Sequence, residues 1–194
     1  MKAEIHSLNW PGSDPRLAKE QKGIFKHFQL PLTQHHRKLD HSVWIDAVLR
    51  QSKADVVLFV DNDCVPLSRS APMEAIQWAA KHQSFLGLAQ ASNHINNGIH
   101  VFAAPAFLAI ARSAWMRLGQ PSCRPTPRGD VAEELRWRAE EHGLPSKPGT
   151  RGISTTPAVK VYGAWATTEA TALAASLLTA SFTYTRAVLP TTWI

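Results

Sequence analysis

Cysteine is scarce in this chain: only Cys64 and Cys123 occur among its 194 residues. Two thiols cannot build a disulfide scaffold or a four-cysteine zinc site. Long apolar runs are missing as well. A membrane helix needs about 20 consecutive apolar residues, and the longest candidate, Ala170 to Tyr184, is broken by Thr and Ser. The opening stretch MKAEIHSLNW has neither the apolar centre nor the small-residue cleavage site of a secretion signal. These absences lead us to expect a cytoplasmic protein with no transmembrane segment. Charged residues make up 19% and hydrophobic residues 44%. That balance excludes disorder and coiled coil and suits one globular domain. Acidic residues are the scarcer charge, 15 against 21 Lys and Arg, for a formal net charge of +6. A basic surface attracts phosphates on nucleotides, nucleic acid or membranes, and it also serves plain solubility.

What is present alternates between strand and helix through the first half of the chain. Ala3 to Leu8 reads as a strand and Asn9 to Pro15 as a turn-rich loop. Asp14 and Pro15 read as the cap and first residue of a helix to about His27. A short strand is expected over Gln29 to Thr33, then a largely buried helix capped by Ser42 and running to about Gln51. Asp55 to Val60 is a continuous β-branched and aromatic run, the mark of a central strand covered on both faces. A helix over Ala71 to His82 and a strand over Ser84 to Ala89 follow. Two strands, Ile99 to Ala104 and Ala106 to Ala111, are expected on either side of Pro105. Arg112 to Leu118 reads as a short helix closed by Gly119, Asp130 to His142 as an amphipathic helix, and Val159 to Tyr162 as the last strand. The alternation predicts an α/β, Rossmann-like domain with a mainly parallel sheet flanked by helices, over residues 1–162. Residues 163–194 form an Ala- and Thr-rich tail without clean periodicity, read as a surface helix and an extended end.

The chemistry concentrates where the central strand ends, in Asp61-Asn62-Asp63-Cys64. In open α/β sheets, ligands bind beyond the carboxyl ends of the strands. Two carboxylates one residue apart at such an end can hold a hard divalent cation, which in turn bridges the oxygens of a diphosphate. The alternative is a turn whose carboxylates bond the following backbone amides.

With its apolar strand, DVVLFVDNDCVPL resembles the metal-binding segment of GT-A-fold, nucleotide-sugar-dependent glycosyltransferases. The surrounding order is similar too: a first strand ending in LNWPGSD, a helix, a short strand, then HSVWIDAVL ahead of the motif. Downstream, NNGIHVFAAPAFLAIARSAWMRLG resembles the acceptor-side half of small bacterial and phage members. The resemblance implies that Asp61 and Asp63 hold Mn²⁺ or Mg²⁺ on the diphosphate of a nucleotide-diphospho-sugar donor. The metal would then stabilise charge on the departing nucleoside diphosphate. It implies nucleotide contacts at Asn9 and Asp14, beyond the first strand, and at Asn62. In inverting members a carboxylate at the start of a late helix deprotonates the acceptor hydroxyl. Asp130 in RGDVAEELRWRAEEHG takes that place, with Glu133 and Glu134 one turn on; helix capping by Asp130 and Glu133 is the alternative.

One departure stands out. Family members place a late His near the metal, whereas this chain has no His after His142. We expect the odd tail to be translated from a shifted reading frame, which the codons after Val161 test. His94, Asn96, Asn97 and His100 are candidate sugar contacts, with a solvated turn on Asn97-Gly98 as the alternative. His35, His36 and His41 read as surface residues. The same Asp-x-Asp also resembles the nucleophile motif of haloacid-dehalogenase-like phosphatases, in which Asp61 would attack phosphorus and Asp63 act as acid and base. That family places the motif on the first strand and needs a later apolar strand ending in Gly-Asp. Here PSCRPTPR precedes Gly129-Asp130. A basic nucleic-acid-binding module is a further alternative, without a helix-turn-helix, zinc-finger or RNA-binding signature. The acceptor is open: a carbohydrate, or a hydroxylated DNA base.

Overall fold

Val56 to Val60 form the strand around which the chain is organised. The computed structural model describes residues 1–92, 100–145, 147–148, 159–162 and 182–186. In it these five residues belong to β3 (Val56–Asp61), and none is more than 2% exposed. β1 (Ala3–Asn9) lies parallel on one side of β3, and β6 (Val101–Ala111) lies antiparallel on the other. β2 (Leu32–His36) is parallel outside β1. β5 (Phe85–Ala91) is antiparallel outside β6 and carries β7 (Lys147–Pro148) parallel at its far edge. The order is β2-β1-β3-β6-β5-β7, and only β6 opposes the common direction. The domain is therefore α/β and Rossmann-like, with a mostly parallel sheet.

Alternation along β3 divides the core into two layers. Val57 and Phe59 face α2 (His41–Gln51), where Trp44, Ile45, Val48 and Leu49 pack. Val56, Leu58 and Val60 face α1 (Pro15–His27) and α3 (Ser70–His82), with Phe25, Ala75, Ile76 and Ala79. Each large side chain buried in this way contributes about 1.5–3 kcal/mol.

The helix ends follow local chemistry, with some departures from expectation. α1 starts as predicted: Asp14 accepts from the Arg16 amide at 2.9 Å and Pro15 takes the first helical position. α2 is capped by Asp40 rather than Ser42. The Asp40 carboxylate accepts from the Ser42 and Val43 amides, and the Ser42 hydroxyl bonds that same carboxylate. The extended backbone of Asp40 aims its side chain at these orphan amides, leaving Ser42 inside the helix. α4 (Arg112–Arg117) ends as predicted at Gly119, whose φ of +80° needs no Cβ. The late helix is shorter than predicted, α5 (Glu133–Glu141), because Ala132 turns into the left-handed region at φ +66°.

The two strands expected around Pro105 are one. β3 pairs with β6 only from Phe107 onward, and the β5 register shifts between Gly87 and Leu88. Pro105 falls in that break, where no ladder asks it for an N–H. Gly87 is needed at the same point, since a Cβ would come within 2.9 Å of Ala103 Cβ and the Phe107 carbonyl. A second sheet has the order β4-β9-β8, from β4 (Cys64–Pro66), β8 (Val159–Tyr162) and β9 (Phe182–Arg186). β8 is thus not the last strand; β9, from the 163–194 segment, pairs with β4. Among the described residues no helix is long and apolar enough to cross a membrane.

Candidate functional site

The parallel strands bring β1, β2 and β3 to a common carboxyl edge. Their register sets Leu8 beside Asp61 and Asn9 beside His36. Asp61 ends β3, Asn62 and Asp63 make the turn, and Cys64 opens β4; all of the first three are half-buried.

A neutral side chain fastens this turn from beneath. Gln21, fully buried on α1, donates its amide to the Asp61 carbonyl at 2.6 Å and to the Cys64 carbonyl at 2.9 Å. Gln34 donates to Gln21 Oε1 at 3.1 Å. Leaving such a buried carbonyl unpaired costs about 1–3 kcal/mol. The Cys64 thiol is pushed up well above its ordinary pKa, first by burial and then by the charges of Asp61 and Asp63.

His41 joins the edge from α2. Its Nε2 lies 3.4 Å from Asp61 Oδ1, and its ring stacks on Trp44 at 5.5 Å and 15°. Sequence reading placed His41 on the surface and passed over Gln21. The signal for His41 was available: a helix between two parallel strands starts at the edge where both strands end.

Asn9, at the end of β1, is 4% exposed, and among the described residues neither atom of its side-chain amide has a hydrogen-bond partner. The Ser7 hydroxyl, on the same face, is also buried and has no partner among them. Such groups are rare in folded proteins and mark places where a water or ligand is bound. Asp14 has a different setting: it caps α1 and grips the Arg16 guanidinium at 2.6 Å.

The second acidic segment reaches the same side of the sheet through β6. Val60 pairs with Phe107, and β6 extends beyond this point back to Val101, past the end of β3. His100, just outside β6, meets Glu133 there: its Nδ1 lies 2.5 Å from Glu133 Oε1 and its ring stacks on Trp137 at 3.8 Å. The other Glu133 oxygen accepts from the Asp130 amide at 2.7 Å. Glu134 is held by Arg128 at 2.5 and 3.0 Å and by Arg138 at 3.0 Å. Arg128 above all keeps its carboxyl below the usual range, which makes it a weak proton acceptor. Glu133 and Glu134 are buried, whereas Asp130 is only half-buried. The Asp130 carboxylate accepts from the adjacent Val131 amide at 2.7 Å and does not cap α5, which has no side-chain cap. Gly129 and Asp130 stand in a turn closed by the Thr126–Gly129 bridge, not at the end of an apolar strand. The phosphatase reading lacks its second half here. A cavity of about 480 Å³ beside this segment is lined by Pro121, Ser122, Thr126, Arg128, Glu134 and Arg138, and does not touch Asp61 or Asp63. His94, Asn96 and Asn97 lie outside the described residues, as does the tail apart from β9.

The donor chemistry at the turn suits a hard cation. Two carboxylates offer oxygens, the ligands that Mg²⁺ and Mn²⁺ prefer. Among the described residues no three His, Cys, Asp or Glu side chains converge on one metal position. Mg²⁺ sites of the phosphate-binding kind use one or two carboxylates and complete their shell with water and phosphate oxygens.

No family model matches the chain, and neither does any curated protein sequence. Solved structures do match in fold. A mannosyltransferase from Pyrobaculum calidifontis, in complex with GDP-Man and Mn²⁺, superposes with a TM-score of 0.55 at 13% identity, over 75% of this chain and 53% of that one. The catalytic domain of Drosophila β1,4-galactosyltransferase 7, complexed with xylobiose, gives 0.51 at 13% identity, over 76% of this chain and 64% of that one. A197 from STIV gives 0.50 at 12% identity, over 75% and 80%. The chain spans between half and two thirds of the length of the first two. Its fold is the GT-A type these glycosyltransferases have.

Proposed function

We propose that this chain is a metal-dependent glycosyltransferase that moves a sugar from a nucleotide-diphospho-sugar to an acceptor hydroxyl. One observation carries the reading: Asp61 and Asp63 sit in a fastened turn at the carboxyl end of the central, doubly covered strand of a GT-A-type sheet.

In this reading Asp61 and Asp63 hold Mn²⁺ or Mg²⁺. The bound ion supplies neutralisation of the negative charge that grows on the nucleoside diphosphate as the sugar leaves. Asn9 binds the base or ribose, which would satisfy its unpartnered amide. Asn62 contributes its amide beside the diphosphate, and Asp14 shapes the loop that covers the nucleotide. Asp130 takes the proton of the acceptor hydroxyl, a weak nucleophile that needs a base within hydrogen-bond reach. The Glu133 carboxylate fixes the Asp130 amide and so sets the position of that base. The acceptor is a carbohydrate or a hydroxylated DNA base, the domain is residues 1–162, and the reaction is cytoplasmic.

Calorimetric or thermal-shift titration with UDP, GDP and their sugars, with and without Mn²⁺, tests the reading. We expect one nucleotide class to bind in a Mn²⁺-dependent manner. No binding of either class with Mn²⁺ present would refute it.

A further inference from the structure

A second cluster lies on the α2 face of β1 and β2, distinct from the acidic turn. His6 Nδ1 and His35 Nε2 stand 2.9 Å apart. Glu4 Oε2 lies 3.3 Å from the other nitrogen of His6. Lys2 Nζ at 2.9 Å and the Ser52 hydroxyl at 2.7 Å hold the Glu4 carboxylate. A cavity of about 310 Å³ opens on these groups, lined also by Val48, Gln51 and Lys53.

A gap of this size between two ring nitrogens holds one proton, with one ring donating and the other accepting. Glu4 is ionised, since the Lys2 and Ser52 hydrogen bonds hold its pKa down at about 2. His6 therefore donates from Nε2 to Glu4 and presents a bare Nδ1, and His35 donates to it from Nε2. Burial lowers the pKa of both rings, so the pair is neutral near pH 7.

We propose that this pair is a binding site for a divalent transition-metal ion of the zinc type, which His6 Nδ1 and His35 Nε2 bind in place of the hydrogen bond between them. Zn–N bonds of about 2.0–2.1 Å at a tetrahedral angle put two ligand nitrogens about 3.3–3.4 Å apart. The rings need to part by only about 0.4 Å to reach that spacing. A carboxylate behind a metal-binding His is the usual second partner, because it fixes the tautomer and raises basicity. Glu4 already stands behind His6. The rings are held in place: His35 packs edge-on against Trp44 at 5.6 Å and His6 lies 6.5 Å from Phe59. The open cavity leaves room for water at the remaining positions. The cations near the pair are Lys2, whose charge Glu4 matches, Lys53 across the cavity, His36 at the end of β2 and Arg37 just past it. Binding is redox-neutral: as the metal takes His35 Nε2, the proton held there passes to His35 Nδ1, and both rings stay neutral imidazoles. Nitrogen ligands favour Zn²⁺, Ni²⁺ and Cu²⁺, and oxygen ligands favour Mg²⁺ and Mn²⁺, so this site and the acidic turn select different ions. The inference stands independently of the glycosyltransferase reading.

Calorimetric titration of ZnCl₂ into the EDTA-stripped full chain, in two buffers of different ionisation enthalpy, tests it. We expect one zinc per chain with no net proton release, because both rings are already neutral. His35→Gln, on the half-exposed edge strand, should weaken binding at least tenfold, and Glu4→Gln about tenfold. The double variant Asp61→Asn/Asp63→Asn should keep wild-type zinc affinity. In the wild type, the imidazole nitrogen resonances of His6 and His35 should move on zinc addition. Absence of binding, unmoved resonances, wild-type affinity in His35→Gln, or loss of zinc binding in the double variant would each overturn the site.

Discussion

Two acidic segments, Asp61–Asp63 and Asp130–Glu134, look alike in composition and are built in opposite ways. In the first, a neutral amide, Gln21, holds the turn through its carbonyls. In the second, the carboxylates themselves are the fasteners: Glu133 ties down the Asp130 amide and His100, and Glu134 clamps two arginines. The density of carboxylates is therefore a poor guide to a site. What matters is which group holds the backbone. Where another side chain does so, as Gln21 does, the backbone is held without the carboxylates. Of the three carboxylates in the second segment, Asp130 alone is half-buried.

The contrast can be broken at its strongest point first. Asp130→Asn should lower turnover of the productive nucleotide sugar by about 10²–10⁴-fold, the usual worth of a general base. Because Asp130 does not cap α5, thermal stability should stay at the wild-type value; unchanged turnover would move the base elsewhere. Glu133→Ala should act on the fold instead. It leaves the Asp130 amide and His100 without a buried partner, for about 2–4 kcal/mol in urea unfolding. A cost near zero would show that Glu133 is not a fastener.

Gln21→Leu should cost about 1–3 kcal/mol, because the Asp61 and Cys64 carbonyls lose their donor. Mn²⁺ affinity should fall with it, although no carboxylate has changed. Glu134→Gln should cost less than about 1 kcal/mol at pH 7, since its arginine partners are largely exposed. Its main effect should be on pH dependence. The folded carboxyl lies below the ordinary value of 4.5, so its contribution is complete above that pH and fades as pH falls through the folded pKa. Acid unfolding curves of Glu134→Gln should be flatter below about pH 4.5 than those of the wild type.

Much of this architecture is legible in the residues. The run Val56 to Val60 announces a strand buried on both faces, and its position ahead of Asp61 points to the carboxyl edge. The less visible parts depend on tertiary context. Pro105 reads as a strand break because the shift in register that accommodates it is set by β5, a separate segment. Asp130 reads as a helix cap because the left-handed turn at Ala132 has no local signature in an alanine. Ser42 reads as the cap of α2 because the competing carboxylate, Asp40, lies two residues earlier. His41 reads as surface until the β2–α2–β3 unit carries it to Asp61.

In the proposed function, Asp61 and Asp63 together hold the cation that binds the nucleotide diphosphate. Titration of the full chain with UDP and GDP at fixed Mn²⁺, wild type against Asp61→Ala/Asp63→Ala, tests it most directly. Both carboxylates are half-buried at a strand end, so the double variant should fold as the wild type does, by circular dichroism. Mn²⁺-dependent nucleotide binding is expected in the wild type, and its loss, by at least about a hundredfold or 2.7 kcal/mol, in the double variant. Equal nucleotide affinity in the two proteins would contradict it.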